Sequence, residues 1–567
     1  MAKYQFPCGC EFEIVGPSPV QGGLPLLDFD AYAIRPDCSA TWELLSRGRC
    51  KGVFQLESPL GKQWSKQLKP REMEHMSALG ALLRPGALKA EVEPGLTMTK
   101  LYCQRLNGEV PVTSFHPALD PILASTYQVL VYQEQSMRIG RELAGFDLKE
   151  VDRLRKAIGK KDEKEMSAVG ELFLARAKEK GVVPYEVAET VWGWIKKSGR
   201  YQFNHSHSLS YGVIGYITAY IKTHFPVQFF WSWLRYAQEK SEPMMEIAEL
   251  VNDAKLFDVP VMPPDIRSLK KRFSTNFLEV RFGMSDVKNI GNAQIAKIRE
   301  AAAEATKELD KPISGWSWYE ALTCFTHRAP ASTIERLISV GSFDHLGNGL
   351  RTLHLEEFRL WTFLTDKERD WIRKRRGQFD SLLPAVKALA QPRKPAKGKL
   401  KKGEPEPVGP FGGCANDNRQ QAVASRVLLL EHPPTPLEDL PNWVARTEAE
   451  LLGAAATCSE VDGLDQRDVN CTCKEFQQGH NGHYGTVILG VKIENQRTIT
   501  CKRGKSAGRK MAYLTISDAS CALSDVVVFP DAWFQFQEVL VENNCVILQG
   551  ERDRKSDQFI VKKAYLM

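Results

Sequence analysis

Residues 200–234 read RYQFNHSHSLSYGVIGYITAYIKTHFPVQFFWSWL, and their reading decides the fold. From Leu209 to Leu234 apolar side chains recur at three-and-four spacing, the period of an amphipathic helix. Just before it, Asn204, His205, Ser206, His207 and Ser208 crowd five polar groups between apolar segments. Such groups must be satisfied by one another, by water or by a ligand. The same periodicity runs back through Val191–Ile195 and Val129–Met166. A mostly helical domain of about 200 residues, from near Thr41 to near Tyr236, is predicted.

Outward from this domain the pattern changes. VPVMPPDI (259–266) stops the helices with consecutive prolines. A strand-like LEVRFGM follows, then Ile290-Gly291-Asn292 opening the helix AQIAKIREAAAEA. A Gly-closed turn between helices is how a helix-hairpin-helix offers backbone N–H groups to phosphate, though by itself it reads more simply as a turn. Residues 391–419 are rich in Pro, Gly and Lys and read as a linker. Beyond it YGTVILGVKI, KMAYLTISDAS, LSDVVVFP, NCVILQGERD and QFIVKKAYL are five β-like runs, with a helix at DAWFQFQEVL before the fourth. That order predicts a small barrel of the oligonucleotide-binding (OB) type. At the other end, YQF and EFEI flank PCGC as a hairpin turned at Pro7 and Gly9. Cys8 and Cys10 there form a C-x-C pair without a second pair at zinc-site spacing, so a turn is the simpler reading.

The whole chain has 567 residues, enough for three to four domains. Hydrophobic residues make up 43% and charged residues 26%, which excludes a mainly disordered chain. The net charge of +7 permits nucleic acid without demanding it. No run of about 18 apolar residues occurs and no signal-peptide layout opens the chain. The 13 cysteines are odd in number and scattered, which reads as reduced thiols in a cytosolic protein.

Two stretches could carry chemistry. Arg153, Arg155, Lys156, Lys160 and Lys161 cluster near the end of an amphipathic helix, with Arg153, Lys156 and Lys160 on one face. A cationic face of this kind suits a triphosphate or a DNA backbone. On spacing alone the simpler reading is the solvated end of a helix, where lysines are favoured by the dipole. The second is the 204–208 cluster. His205-x-His207 lacks a third nearby ligand and reads as a polar helix start rather than a metal site.

GVFQLESPLGKQWSKQLKP (52–70), ALGALLRPGAL (78–88), residues 116–166, YQFNHSHSLSYGVIGYITAYIKTHFP (201–226), PPDI (263–266), ERLISVGSFDHLG (335–347) and ELLG (450–453) resemble the bacterial DNA polymerase III alpha subunit, a C-family replicative polymerase. The resemblance implies a multidomain α+β chain: helical fingers, a helix-hairpin-helix region and a five-stranded OB-type barrel. It implies boundaries at 1–26 (hairpin extension), 27–265 (fingers), 266–390 (helix-hairpin-helix and clamp binding), 391–482 (linker and connector) and 483–567 (barrel). The fingers would receive the incoming dNTP and primer-template DNA. By that likeness Arg155, Lys156 and Lys160 face the triphosphate, with Lys156 standing where the family usually has arginine and so losing the bidentate fork. Asn204, Ser206 and His207 match an F-N-K-S-H-S segment, with His205 replacing its lysine. Gln55, Ser58 and Arg84 lie in matched blocks at the nucleotide end.

The family also implies Mg²⁺ held by three palm aspartates, and a metal-binding phosphoesterase-like (PHP) domain before the palm. No matching block for that domain or for the first two aspartates is present. Asp28 and Asp30 in LPLLDFDAYAIRPD are the only D-x-D near the start. Asp30 could stand for the third palm aspartate; alternatively the segment simply leads from the palm into FQLES. The expectation is a polymerase component whose palm sits on a separate chain, the alternative being a DNA- and clamp-binding accessory without catalysis. Lys288 in the helix-hairpin-helix would meet DNA. Gln378-Phe-Asp-Ser-Leu382-Leu383 is the candidate sliding-clamp peptide. Lys502, Arg503, Lys505, Arg509 and Lys510 crowd a barrel loop suited to single-stranded template. The expected setting is the bacterial cytoplasm, without a membrane, and such a compact chain is compatible with a bacteriophage.

Overall fold

The computed structural model describes residues 2–5, 8–9, 11–14, 34–89, 91–93, 95–160, 163–199, 202–347, 349–392, 412–479, 485–502, 504, 506–553 and 556–567. The chain divides into two compact units, Met1–Phe229 and Phe230–Met567. None of the described helices is long and apolar enough to cross a membrane.

The first unit opens with the predicted hairpin. Ala2–Gln5 and Glu11–Ile14 pair antiparallel, Ala2 facing Ile14 and Gln5 facing Glu11. Helices then dominate: Ser39–Ser46, Pro59–Leu68, Met73–Leu82, Gln133–Ala144, Leu148–Lys160, Glu163–Lys180, Tyr185–Gly199 and His205–His224. One core gathers Ile139, Leu143, Phe146, Leu154, Phe173, Val191, Trp192 and Ile195 from the helices between 133 and 199 and the loop at Phe146.

Helix His205–His224 packs along Met73–Leu82. Its contact face carries Ser208, Gly212 and Gly215, which lets the two backbones approach closely. A methyl on Gly212 would lie 3.2 Å from Met76 Cβ, and one on Gly215 3.1 Å from Met76 Cε. Ser208 Oγ, buried in this seam, donates to the Ser77 carbonyl at 2.5 Å. Near the far end of the helix, Lys222 is wholly buried, and its Nζ donates to the carbonyls of Arg49 and Lys51 at 2.9 Å each. An ammonium is tolerated inside only with such partners.

The second unit begins with a small sheet in which Val280–Arg281 lies between Val261–Met262 and Ser274–Thr275. The strand expected over LEVRFGM is therefore only two residues long. The turn before helix Asn292–Leu309 passes through Asn289 at φ +65° and is closed by Gly291, whose N–H is accepted by Gln294 Oε1 at 3.1 Å. Lys288 is exposed on that turn while its backbone N–H donates to the Leu451 carbonyl at 2.8 Å. Deeper in the unit, Arg351 bridges Asp344 at 3.0 Å and fully buried Glu448 at 2.8 Å.

The C-terminal strands are β1 (Val487–Thr500), β2 (Lys510–Ser517), β3 (Ala522–Val528), β4 (Cys545–Arg552) and β5 (Phe559–Leu566). They close in the order β3-β5-β4-β1-β2, with β3 and β5 parallel and every other pair antiparallel. Helix Pro530–Phe536 sits between β3 and β4. This closed five-stranded barrel is consistent with an OB-type fold. Alternation drives it: Val487, Leu489, Val491 and Ile493 of β1 all point into the core.

Candidate nucleic-acid interface

The polar cluster of the sequence is the start of helix His205–His224. Asn204 is its N-cap, and its Oδ1 accepts from His207 N–H at 2.8 Å and from Ser206 Oγ at 2.7 Å. Its amide meanwhile donates to Glu134 Oε1 at 2.8 Å, and His205 N–H donates to Glu134 Oε2 at 3.0 Å. One carboxylate thus clasps two donors at a helix N-terminus, where negative charge is favoured. His205 Nε2 lies 3.0 Å from Glu74 Oε2, and its ring packs on Tyr132 at 4.3 Å. The preceding loop is stitched down by Gln133 N–H to the Phe203 carbonyl at 3.0 Å and by buried Gln202 on Ser136. These bonds hold the cluster on rigid elements.

An aromatic and cationic shelf lies over it. The Arg84 guanidinium sits 3.6 Å above the Phe203 ring. His207 lies 5.2 Å from Phe203 and 4.2 Å from Tyr211, and Tyr211 reaches Phe54 at 5.3 Å. Arg84, Asn204, Ser206, His207 and Tyr211 are exposed. Gln55, beside Phe54, is exposed at φ +65°. Ser58 is itself a cap: its Oγ accepts from Gly61 N–H at 3.0 Å to start helix Pro59–Leu68. The structure therefore brings Arg84, the 204–207 cluster and, through Phe54, the Gln55 turn together. Glu74, Glu134, Phe203 and Tyr211 complete the arrangement, and sequence reading missed all four as partners.

The basic helix is less bare than its spacing suggests. Leu148–Lys160 buries Val151, Leu154, Ala157 and Ile158 and leaves Arg153, Arg155 and Lys156 exposed. Arg153 pairs with Glu165, while Arg155 and Lys156 reach Asp152 at 2.8 and 2.7 Å. Hydrogen bonds from Lys156 and then Arg155 hold the Asp152 carboxyl below its ordinary range. Exposed pairs of this kind contribute little to stability. Lys160 ends the helix, with its side chain outside the described residues, as are Lys161, Arg503, Lys505, Asp28 and Asp30. In the barrel, Lys502 and Lys510 are exposed, Arg509 pairs with Asp531, and Arg497 lies 5.4 Å over Tyr513. At the clamp candidate, Gln378 is exposed in a short 3-10 turn, Leu383 is half-buried, and Leu382 is 1% exposed in helix Leu382–Leu389. Docking as an extended peptide would require the first turn of that helix to unwind.

Among the described residues, one group of three metal ligands converges: Cys8, Cys38 and His224. Two thiols and an imidazole suit a soft cation rather than Mg²⁺, which takes oxygen ligands. The described residues therefore do not fit a magnesium site.

Residues 26–181 match the bacterial DNA polymerase III alpha subunit finger domain, and residues 258–353 match a helix-hairpin-helix motif. The chain is 30% identical over 552 residues to the DNA polymerase III subunit alpha of Aquifex aeolicus, covering 95% of this chain and 40% of that protein. It is 31% identical over 558 residues to the subunit of Thermus aquaticus, covering 95% and 39%. Over 95% of its own length the chain is similar to DNA polymerase III alpha subunits. The Bacillus subtilis subunit matches at 27% identity over 548 residues, covering 95% of this chain and 42% of that one. The chain thus spans about two fifths of the length of the curated relatives it matches. The finger match contains Arg84 and the basic helix, and stops before the Asn204 cluster that packs against Glu134 within it.

Proposed function

We propose that this chain is a component of a replicative DNA-directed DNA polymerase. It would present incoming dNTP and primer-template DNA to a palm carried on a separate chain. The observation that carries the reading is the shelf at the start of helix His205–His224. There an exposed guanidinium, the Asn204 cap and a row of aromatic rings share one rigid face. A cation beside aromatic faces is the combination that holds phosphates and stacks bases.

In this reading Arg84 neutralises phosphate charge, Tyr211 and Phe203 give stacking faces, and Asn204 fixes the helix end that orients them. Arg153, Arg155 and Lys156 exchange their carboxylate partners for the triphosphate or the DNA backbone. The helix-hairpin-helix turn at Lys288 and the barrel face with Arg497, Lys502 and Tyr513 hold the duplex and the single-stranded template. Mg²⁺ would be held by the aspartates of that separate palm, and a sliding clamp would be a further partner.

The test is primer extension. Purified chain with primed template, Mg²⁺ and dNTPs is expected to give no product alone, and extension once a palm-bearing chain is added. Robust extension by the chain alone would refute the separate palm. A non-catalytic accessory role is the second reading, favoured by the ion-paired state of the basic helix. It predicts DNA binding that is indifferent to the complementary dNTP, whereas the polymerase reading predicts that the dNTP tightens it.

A further inference from the structure

We propose that Cys8, Cys38 and His224 form a zinc site that fastens the N-terminal hairpin to the helical unit. The three donors come from segments 30 and 186 residues apart in sequence. Cys8 Sγ and Cys38 Sγ are 3.8 Å apart, and His224 Nε2 lies 3.8 Å from the first and 3.2 Å from the second. Zinc with tetrahedral Zn–S and Zn–N bonds places two sulfurs about 3.8 Å apart and sulfur and nitrogen about 3.6 Å apart. The sulfur spacing is far beyond the roughly 2.05 Å of a disulfide.

The imidazole nitrogen faces both sulfurs. Unprotonated, Nε2 offers one lone pair to a cation lying between it and the sulfurs. A cation among the three would use a lone pair from each. Cys38 caps helix Ser39–Ser46, and its Sγ accepts from Thr41 N–H at 3.4 Å, at the positive end of the helix.

The ligands are held before any metal arrives. Cys38 N–H donates to Tyr216 Oη at 3.1 Å, and Tyr216, Tyr220 and His224 follow one another at successive turns of helix His205–His224. Gly9, at φ +86°, turns the hairpin directly after Cys8. The site lies at the opposite end of the helix from Asn204, so the metal's role is structural. Two thiolates and an imidazole select zinc over the hard cations and leave one coordination position for a further donor.

The test uses the full chain, purified without a histidine tag and under reducing conditions. Elemental analysis is expected to find about one zinc per chain, with Co²⁺ exchange giving thiolate-to-cobalt charge-transfer absorption. Cys8→Ser, whose site is only half-buried, and His224→Asn should lose both signals, whereas Cys103→Ser should keep them. Circular dichroism separates metal loss from unfolding: a folded Cys8→Ser chain without zinc supports the site. Folded wild-type chain that neither retains zinc nor binds cobalt overturns it. So does a Cys8–Cys38 disulfide found by mass spectrometry in place of metal, or full zinc content in the Cys8→Ser, His224→Asn double variant.

Discussion

Asn204 and Glu134, 70 residues apart in sequence, fix the start of the long helix between them: the Asn204 amide donates to Glu134 Oε1 at 2.8 Å while Asn204 Oδ1 caps His207 N–H. The cap is thereby oriented from both sides. Rotating the amide to serve any other partner would break a bond at each end.

Glu134→Ala should therefore act on the cap as well as on charge. It leaves the Asn204 amide and the His205 N–H without their shared acceptor. A loss of about 1–2 kcal/mol is expected, the cost of a lost cap or of two lost hydrogen bonds. Urea unfolding would measure it, and Glu134→Gln, which keeps one acceptor oxygen, should recover part of the loss.

Arg84 tests the shelf. Its guanidinium is exposed and lies over the Phe203 ring, 3.6 Å from its centre. Arg84→Ala should weaken primer-template binding about five- to tenfold, the range of one exposed cation–π and phosphate contact. Arg84→Lys keeps the charge and loses the planar face, so it should fall between. Fluorescence anisotropy against salt concentration separates the two contributions, because only the charge alters the salt slope.

Asp152→Asn should strengthen phosphate binding. Asp152 holds both Arg155 and Lys156 in the unliganded chain. Neutralising it leaves two cations to meet a triphosphate or DNA without first giving up a partner. Tighter binding and an unchanged unfolding midpoint are expected, measured by titration with dNTP or DNA and by thermal melting. Unchanged affinity would remove this helix from the interface.

The barrel was legible because its information is local. Alternating Val487, Leu489, Val491 and Ile493, and a helix placed before the fourth strand, need no knowledge of distant partners. The helix after Asn204 was legible for the same reason. Glu74, Glu134, Cys38 and His224 were not, since each acts through a residue between 70 and 186 positions away. Asp152 is different. It stands three and four residues before Arg155 and Lys156, a spacing at which opposite charges meet on any helix, and the reading of a bare cationic face passed over it. At Gln378–Leu383 the two leucines resembled a free peptide, but a short amphipathic helix uses the same residues to bury Leu382.

Asp286 gives the helix-hairpin-helix region a pH dependence of unusual sign. Burial pushes its carboxyl up to about 6, against the pull of the Gly283 N–H, which donates to Oδ2 at 2.9 Å, and of Arg272. Its folded value lies above the unfolded value of about 3.9, so folding favours the protonated acid. The stabilising contribution is full below about pH 4 and is lost as pH rises through about 6. Chemical unfolding between pH 4 and 8 should therefore show this contribution declining, opposite to the trend of a paired carboxylate. Asp286→Asn keeps an oxygen for Gly283 and never carries the charge. It should be more stable than the parent by on the order of 2 kcal/mol at pH 8 and close to it at pH 4. A difference between the two chains that stays constant across this range would mean that Asp286 remains ionised in the folded protein throughout.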